Sequence, residues 1–600
     1  MAVRIRRRRR ASVASVSRVV MVSALAVANL EGQGAAPRLS PTLYFADSAA
    51  EASERAALHD RVDPLERAIA AADAVALVQR LVDANRAIVA LQRHAAYLKV
   101  RALENVDDRA AKDALTSVGT DQSVLTTAMV TRLQRVTPNQ IASLGKYAKL
   151  ARDAQHSAAQ RLTPEAERYR GAVTLATLQS ISDAYDARIA TLRGFGPVGS
   201  PDLATRRAAL TRREAAFDSA APAMATLLGT LIDLENRDAA AHGFRNAAER
   251  KYSSLGLSDT LVDRTLAAVA AEAPVYRRYQ QLFAERAARR LGISPILSAE
   301  RNIGLPTATA LPFAEGMQLI LDALAPLGAD YVDRFRRLVD PNGGRLDLSG
   351  GAHRANTGTS IVAYDAPVAL YLTSFNGSLP NLSTIAHEGG HAIHRELMNA
   401  DSLPVYLQTG PHDLFEGYAI FNEWLVLDHA SKTASTAADR ERALEALLTS
   451  MAIEIFTSAE ETSFEKSLYT SSVHGMLDRG RIDEMYRASI APYQYWPTSD
   501  VGTSTAWMTK PLLFQDPLYL VNYLYASFVA VALWDRAESD PDFSRKYEAL
   551  LRRGFDADPD VLLASMGVPL GDPAVIRRAS ARFNAKIDEL EALYAAAAQR

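Results

Sequence analysis

The sequence predicts a mainly α-helical fold with a small β-sheet placed late in the chain. Three observations carry this. From about residue 50 to 335, apolar residues recur at the helix repeat, as Leu77, Leu81, Ile88, Leu91 and Leu98 do with Arg, Asp and Gln between them. Segments such as 202–221 are rich in Ala and Arg, which favour helices, and poor in strand formers. Between Arg345 and Ser378 the texture shifts to Gly, Ser and Thr around one apolar, strand-forming run, Pro367 to Thr373.

Taken in order, the chain opens with a basic start, Arg4 and Arg6 to Arg10, followed by a short apolar stretch, Val19 to Ala28, that ends in an Ala-x-Ala pattern. That is the layout of a cleaved signal peptide over residues 1–28, too short to span a bilayer comfortably. The expectation is an exported chain, periplasmic or secreted. The alternative is a disordered basic tail on a cytoplasmic protein. Residues 40–335 form an N-terminal helical region. The breaker cluster from Gly194 to Pro201 reads as a connection between two of its helices. Pro341-Asn342-Gly343-Gly344 is a turn opening the region 336–600. One or two short strands follow, closed by Asn376-Gly377, then a long helix from about Leu382. The remainder is helical, and no internal repeat of fixed period is present.

Composition narrows the chemistry. The chain has 600 residues, 48% of them hydrophobic, a formal net charge of −2 and no cysteine. That is enough apolar material for large buried cores. The near-neutral balance argues against nucleic acid as a partner. With no cysteine there is no disulfide, no zinc-thiolate site and no thiol nucleophile, so any metal must be held by His and carboxylates. Beyond the N-terminal stretch no second apolar run of about 18 residues is read, so no stable membrane insertion is expected after signal removal. Oligomeric state is not readable.

The reactive stretch is Thr384-Ile385-Ala386-His387-Glu388-Gly389-Gly390-His391-Ala392-Ile393-His394. It contains His-Glu-x-x-His. On a helix, residues four apart lie one turn above each other, so His387 and His391 can aim ring nitrogens at one Zn²⁺ while Glu388 stands beside it as a base. With 11 His in 600 residues, accident produces such a pattern in about one chain in a hundred. Context opposes accident. The motif follows a strand-like run on an amphipathic helix that also tolerates Gly389 and Gly390, each costing about 1 kcal/mol relative to Ala. Such a helix needs close backbone approach there. Ile385, Ala392 and Leu397 lie away from the histidines and can seat the helix in a core.

A catalytic zinc takes three protein ligands and keeps one open position. The third candidate is Glu416, in a second predicted helix from Asp413 to Trp424. Glu423, two turns on, reads as a surface carboxylate, with the alternative of accepting a hydrogen bond from a ligand histidine. His412 is a rival ligand ranked lower because it sits in a turn after Gly410-Pro411. His394 reads as a packing or hydrogen-bonding residue.

These residues resemble the thimet oligopeptidase and oligoendopeptidase F family of zinc metallopeptidases. Its hallmark is His-Glu-x-Gly-His-x-x-His, which His387, Glu388, Gly390, His391 and His394 match. Glu416 falls where that family places its third zinc ligand. The lead-in Pro380 to Ala386 and the Phe464-Glu465-Lys466 element are similar as well, and weaker similarity extends back to about residue 240. The resemblance implies a multi-helix, clam-like fold with a deep channel and a small sheet beside the zinc-binding helices. It also implies one Zn²⁺ and short peptide substrates. For the oxyanion it implies a donor tyrosine, for which Tyr523 is the first candidate and Tyr519 the second, and usually a histidine. At the place of that histidine stand Leu512 and Leu513, with Gln515 the nearest polar group, and Gly389 replaces a larger apolar residue.

The combined expectation is a zinc peptidase region over 336–600 that cleaves internal bonds of short peptides. Two other readings stay open. One is a carboxypeptidase or dipeptidyl carboxypeptidase on a similar scaffold. The other is a zinc-containing peptide-binding protein with impaired catalysis. The run from Ala369 to Ser374 is expected to pair with the substrate backbone.

Overall fold

The computed structural model describes residues 36–303, 310–471, 477–496, 500, 505–568 and 572–598. The signal-peptide expectation for residues 1–28 lies outside them. The described chain is mostly helical. Helices α1 (Leu77–Glu104) and α2 (Arg109–Leu133) pack on each other in the N-terminal part, where Leu81, Leu91, Leu98 and Leu125 are buried. This core continues onto one face of the later sheet through Ile361, Ala369 and Tyr371.

Helix α3 (Leu203–Ala241) contains Pro222 in its interior and is capped by Asp202, whose carboxylate accepts the Thr205 N–H at 2.7 Å. Contrary to the sequence expectation, its length and composition suffice to cross a membrane. Half of that apolar window is buried within the protein, with Met224, Leu228, Leu231 and Ile232 in a core.

Next come α4 (Ala329–Leu338) and three strands, β1 (Leu346–Asp347), β2 (Gly358–Ile361) and β3 (Ala369–Leu372). Strand order is β1-β3-β2, with β1 parallel and β2 antiparallel to β3. This corrects the expected role of the 369–374 run. β3 is the central strand and its backbone is paired on both sides, so it has no edge to offer a peptide. Of the two outer strands, β1 is flanked by the 37–40 segment, with Leu348 donating to the Pro37 carbonyl at 3.0 Å, which leaves the edge of β2.

The sheet's other face, through Leu370 and Leu372, joins a large core with α5 (Leu379–Ala400), α6 (His412–Thr433), α7 (Ala437–Ala452), α9 (Leu520–Ser539) and α10 (Pro573–Ala598). Helix α8 (Ser458–Ser471) lies between α7 and α9 in the chain. Tyr331, Phe335 and Leu338 of α4 belong to the same core. Helix α5 starts three residues before the expected Leu382. Ser378 caps it, accepting the Asn381 N–H at 3.4 Å, and Pro380 sits in the first turn, where a missing N–H costs nothing.

Candidate metal centre

The reactive helix lies deep. Ile385, Ala392 and Leu397 are fully buried, and so is most of α5 on every side. The two glycines permit this. A Cβ at Gly389 would stand 2.3 Å from the ring of Phe335, and one at Gly390 would stand 2.9 Å from Asn422 Nδ2 and 3.2 Å from Ala419 Cα. The phenyl ring of α4 therefore fills the space a side chain at 389 would take, and α6 comes into backbone contact at 390. Asn422 fastens the crossing, donating to the Ala386 carbonyl at 3.3 Å and to Tyr331 Oη at 2.7 Å.

This contact brings Glu416 of α6 to the two histidines of α5. Glu416 Oε2 lies 3.2 Å from His387 Nε2 and 3.6 Å from His391 Nε2. All three residues are buried, and one donor atom from each lies within 4.8 Å of the others. Tetrahedral ligands at about 2.0–2.1 Å from one ion stand roughly 3.4 Å apart, which is the spacing of these pairs. Glu416 Oε2 is buried without a hydrogen-bond partner, an arrangement a cation would satisfy. The electrostatics agree. Burial opposes the charged form of His387, yet the Glu416 and Glu423 carboxylates beside its two ring nitrogens outweigh it and lift its pKa to about 10. Burial likewise opposes ionised Glu416, but the neighbouring His391 and His387 imidazoles hold its carboxyl well below the usual range. The pocket is built to hold positive charge, and two imidazoles with a carboxylate fit a divalent metal.

Glu423 is not a surface residue. It is 5% exposed, and its Oε2 lies 3.4 Å from His387 Nδ1. Ser450 of α7 donates to the other Glu423 oxygen and receives the Trp424 indole N–H at 2.9 Å. This chain fixes the ring of His387 so that Nε2 faces Glu416. The sequence offered the residue and its spacing but not its burial, which comes from α7 covering it.

Tyr519 donates from its hydroxyl to Glu416 Oε1 at 3.0 Å, and Tyr523 packs edge-on against it with ring centroids 5.3 Å apart. Burial and the neighbouring Glu416 charge push the Tyr519 phenol far above its ordinary value, so it stays a donor. Its aim is set one residue earlier. Leu518 adopts φ 60°, a region that costs a side-chain-bearing residue about 1–2 kcal/mol. Its N–H is held by Glu465 Oε1 at 2.7 Å. Burial raises that carboxyl to about 8. The Phe464-Glu465-Lys466 element thus acts on the site through Leu518.

Other expected residues fall elsewhere. His412 opens α6 and lies 3.3 Å from Tyr519 Oη through Nδ1, outside the metal group. His394 is boxed in by Phe415, Tyr418 and Phe555, with ring centroids 5.1–5.6 Å away, and burial holds it neutral. Gln515 is exposed and bonds Asp186 at 2.8 Å, while Leu513 belongs to a buried core, so neither stands in for a donor histidine.

Residues 327–581 match the model of peptidase family M3. This likeness to peptidase family M3 covers that segment, under half of the chain. The matched M3 segment contains every member of the metal group together with Glu388, Glu423, Tyr519 and Tyr523. Among curated relatives, oligoendopeptidase F of Lactococcus lactis subsp. cremoris is 21% identical over 402 residues, covering 66% of this chain and 65% of that protein. Oligopeptidase PepF of Bacillus subtilis is 22% identical over 376 residues, covering 62% of this chain and 55% of its own length. The likeness of fold extends further than the sequence match. A Chlamydophila abortus protein superposes with a TM-score of 0.76 at 18% identity, covering 93% of this chain and 98% of that one. Oligoendopeptidase-F from Enterococcus faecium gives 0.62 at 18% identity, covering 90% and 98%.

Proposed function

We propose that this chain is a zinc-dependent oligopeptidase that hydrolyses internal bonds of short peptides. The observation that carries the reading is the convergence of His387, His391 and Glu416 from two helices, with Glu388 next in chain to a ligand and outside the ligand set. Zn²⁺ held by these three would polarise the scissile carbonyl and bring the pKa of a water molecule toward about 7. Glu388 accepts the proton that water loses on attacking the carbonyl carbon, then returns it to the leaving amine nitrogen as the C–N bond breaks. Tyr523, beside Tyr519, is the candidate donor to the carbonyl oxygen as negative charge builds. Tyr519 steadies Glu416. The names of the L. lactis, B. subtilis and E. faecium relatives support oligopeptide substrates. Export to a periplasm or medium is proposed from residues 1–28 alone.

Glu388→Gln keeps the shape of the side chain and removes the base. It should retain metal and lose about 10²–10⁴-fold in kcat on a fluorogenic peptide. Wild-type turnover by that variant would reject the mechanism. The reading as a peptide binder with impaired catalysis draws on Leu512 and Leu513, which stand where the resembled family places its histidine. It predicts metal content without peptide hydrolysis in the unmodified protein.

A further inference from the structure

The N-terminal part of the chain sends one cation into the neighbourhood of Glu388. Lys99, on α1, donates from Nζ to Thr359 Oγ1 at 3.0 Å and to the Ser360 carbonyl at 3.2 Å. Both acceptors are neutral. No carboxylate among the described residues pairs with this ammonium, and the one whose charge acts on it is Glu388. Burial lowers the Lys99 pKa to about 8, with Glu388 opposing the shift. An ammonium carries three N–H donors, and a half-buried one without an anion pays a desolvation cost its hydrogen bonds only partly offset.

The position on the sheet gives this charge a direction. Leu370 donates its N–H to the Arg345 carbonyl, so the polar groups of Leu370 face β1. Backbone alternation turns those of the next residue, Tyr371, toward its partner Thr359 on β2. Ser360 therefore points its carbonyl away from β3, off the free edge of β2, and Lys99 sits on that edge. The strand lies on the reactive helix, because a Cβ at Gly358 would be 3.5 Å from Thr384 of α5. A peptide that adds to β2 as a further strand runs over α5 and past the Lys99 ammonium.

We propose that Lys99 recognises a carboxylate of the bound peptide, carried by an acidic side chain or by the C-terminus, at the free edge of β2. The inference rests on the oligopeptidase reading and adds to it a preference for acidic or free-acid peptides. Kinetics on internally quenched peptides in matched pairs test it, with Asp against Asn at each position in turn and a free against an amidated C-terminus. Wild type should favour one carboxylate-bearing member about tenfold in kcat/KM, mainly through KM, as expected for one charge-assisted hydrogen bond. The pair showing the effect distinguishes side chain from terminus. Lys99→Met should erase the preference, and Lys99→Arg should keep most of it. Equal rates within every pair in wild type would overturn the inference. So would a preference that survives in Lys99→Met, or a loss in Lys99→Met equal for both members of a pair. Fluorescence anisotropy of the same pairs on metal-loaded Glu388→Gln reads the preference without turnover. A carboxylate preference there, with no hydrolysis by wild type, supports Lys99 and rejects the peptidase reading.

Discussion

At the scale of single residues, the site depends on carboxylates that are almost entirely buried. Glu416 and Glu423 bracket His387, one on each ring nitrogen, so the imidazole has a fixed orientation before any metal enters. Outer hydrogen-bond partners of metal-binding histidines typically contribute 10–100-fold in affinity. Glu423→Gln should therefore weaken zinc binding about tenfold or more in a chelator competition, while the fold persists. Unchanged affinity would show that Ser450 and the helix backbone orient His387 without Glu423. The contrast with Glu388 shows what the sequence could display. His387, Glu388 and His391 are one local pattern, readable because helix geometry sets their spacing. The position of Glu423 against His387, and of Tyr519 against Glu416, depends on packing between distant segments, and residue type alone carries no signal for that. Lys99 was equally hidden, 260 residues from its Thr359 partner.

At the scale of elements, the crossing of α5 with α4 and α6 determines whether the ligands meet. Gly389 faces Phe335 so closely that a methyl group cannot be added without moving the ring. Gly389→Ala should destabilise the protein by about 1–3 kcal/mol, as overpacking of a dense core does, despite the better helix propensity of alanine. Combining it with Phe335→Leu should recover part of the loss in a denaturant titration. A stabilised Gly389→Ala would mean that the helices do not approach as described. The two glycines in a helix announced close approach, but not which helix approached. Strand propensity around residue 370 was likewise legible, whereas strand order was not. Nothing in Ala369–Leu372 reveals that two other strands flank it, because parallel pairing with Leu346–Asp347 spans a gap in sequence without local signature.

At the scale of the whole molecule, the described chain is organised around a core shared by segments far apart in sequence, from Val269 to Tyr594. The helical class was legible from periodicity, whereas this sharing arises only on assembly. Burying so much surface also traps acids. Desolvation raises Glu460 and Glu465 to about 8 and Glu235 to about 7. The unfolded chain releases those protons near its ordinary carboxyl range while the folded protein retains them. Their stabilising contribution is thus complete below about pH 4.5 and is lost as pH rises through 7 to 8, by up to about 1.4 kcal/mol per pH unit for each group. The melting temperature should fall between pH 6 and 8, and Glu460→Gln should flatten that slope. A melting temperature that rises over this range would contradict the burial of these groups as acids. The central claim concerns the metal, and diffraction on crystals grown with zinc, recorded above and below the zinc absorption edge, addresses it most directly. The account predicts one anomalous peak per chain, about 2.0–2.2 Å from His387 Nε2, His391 Nε2 and Glu416. A peak elsewhere, or none in zinc-supplied protein, would contradict it.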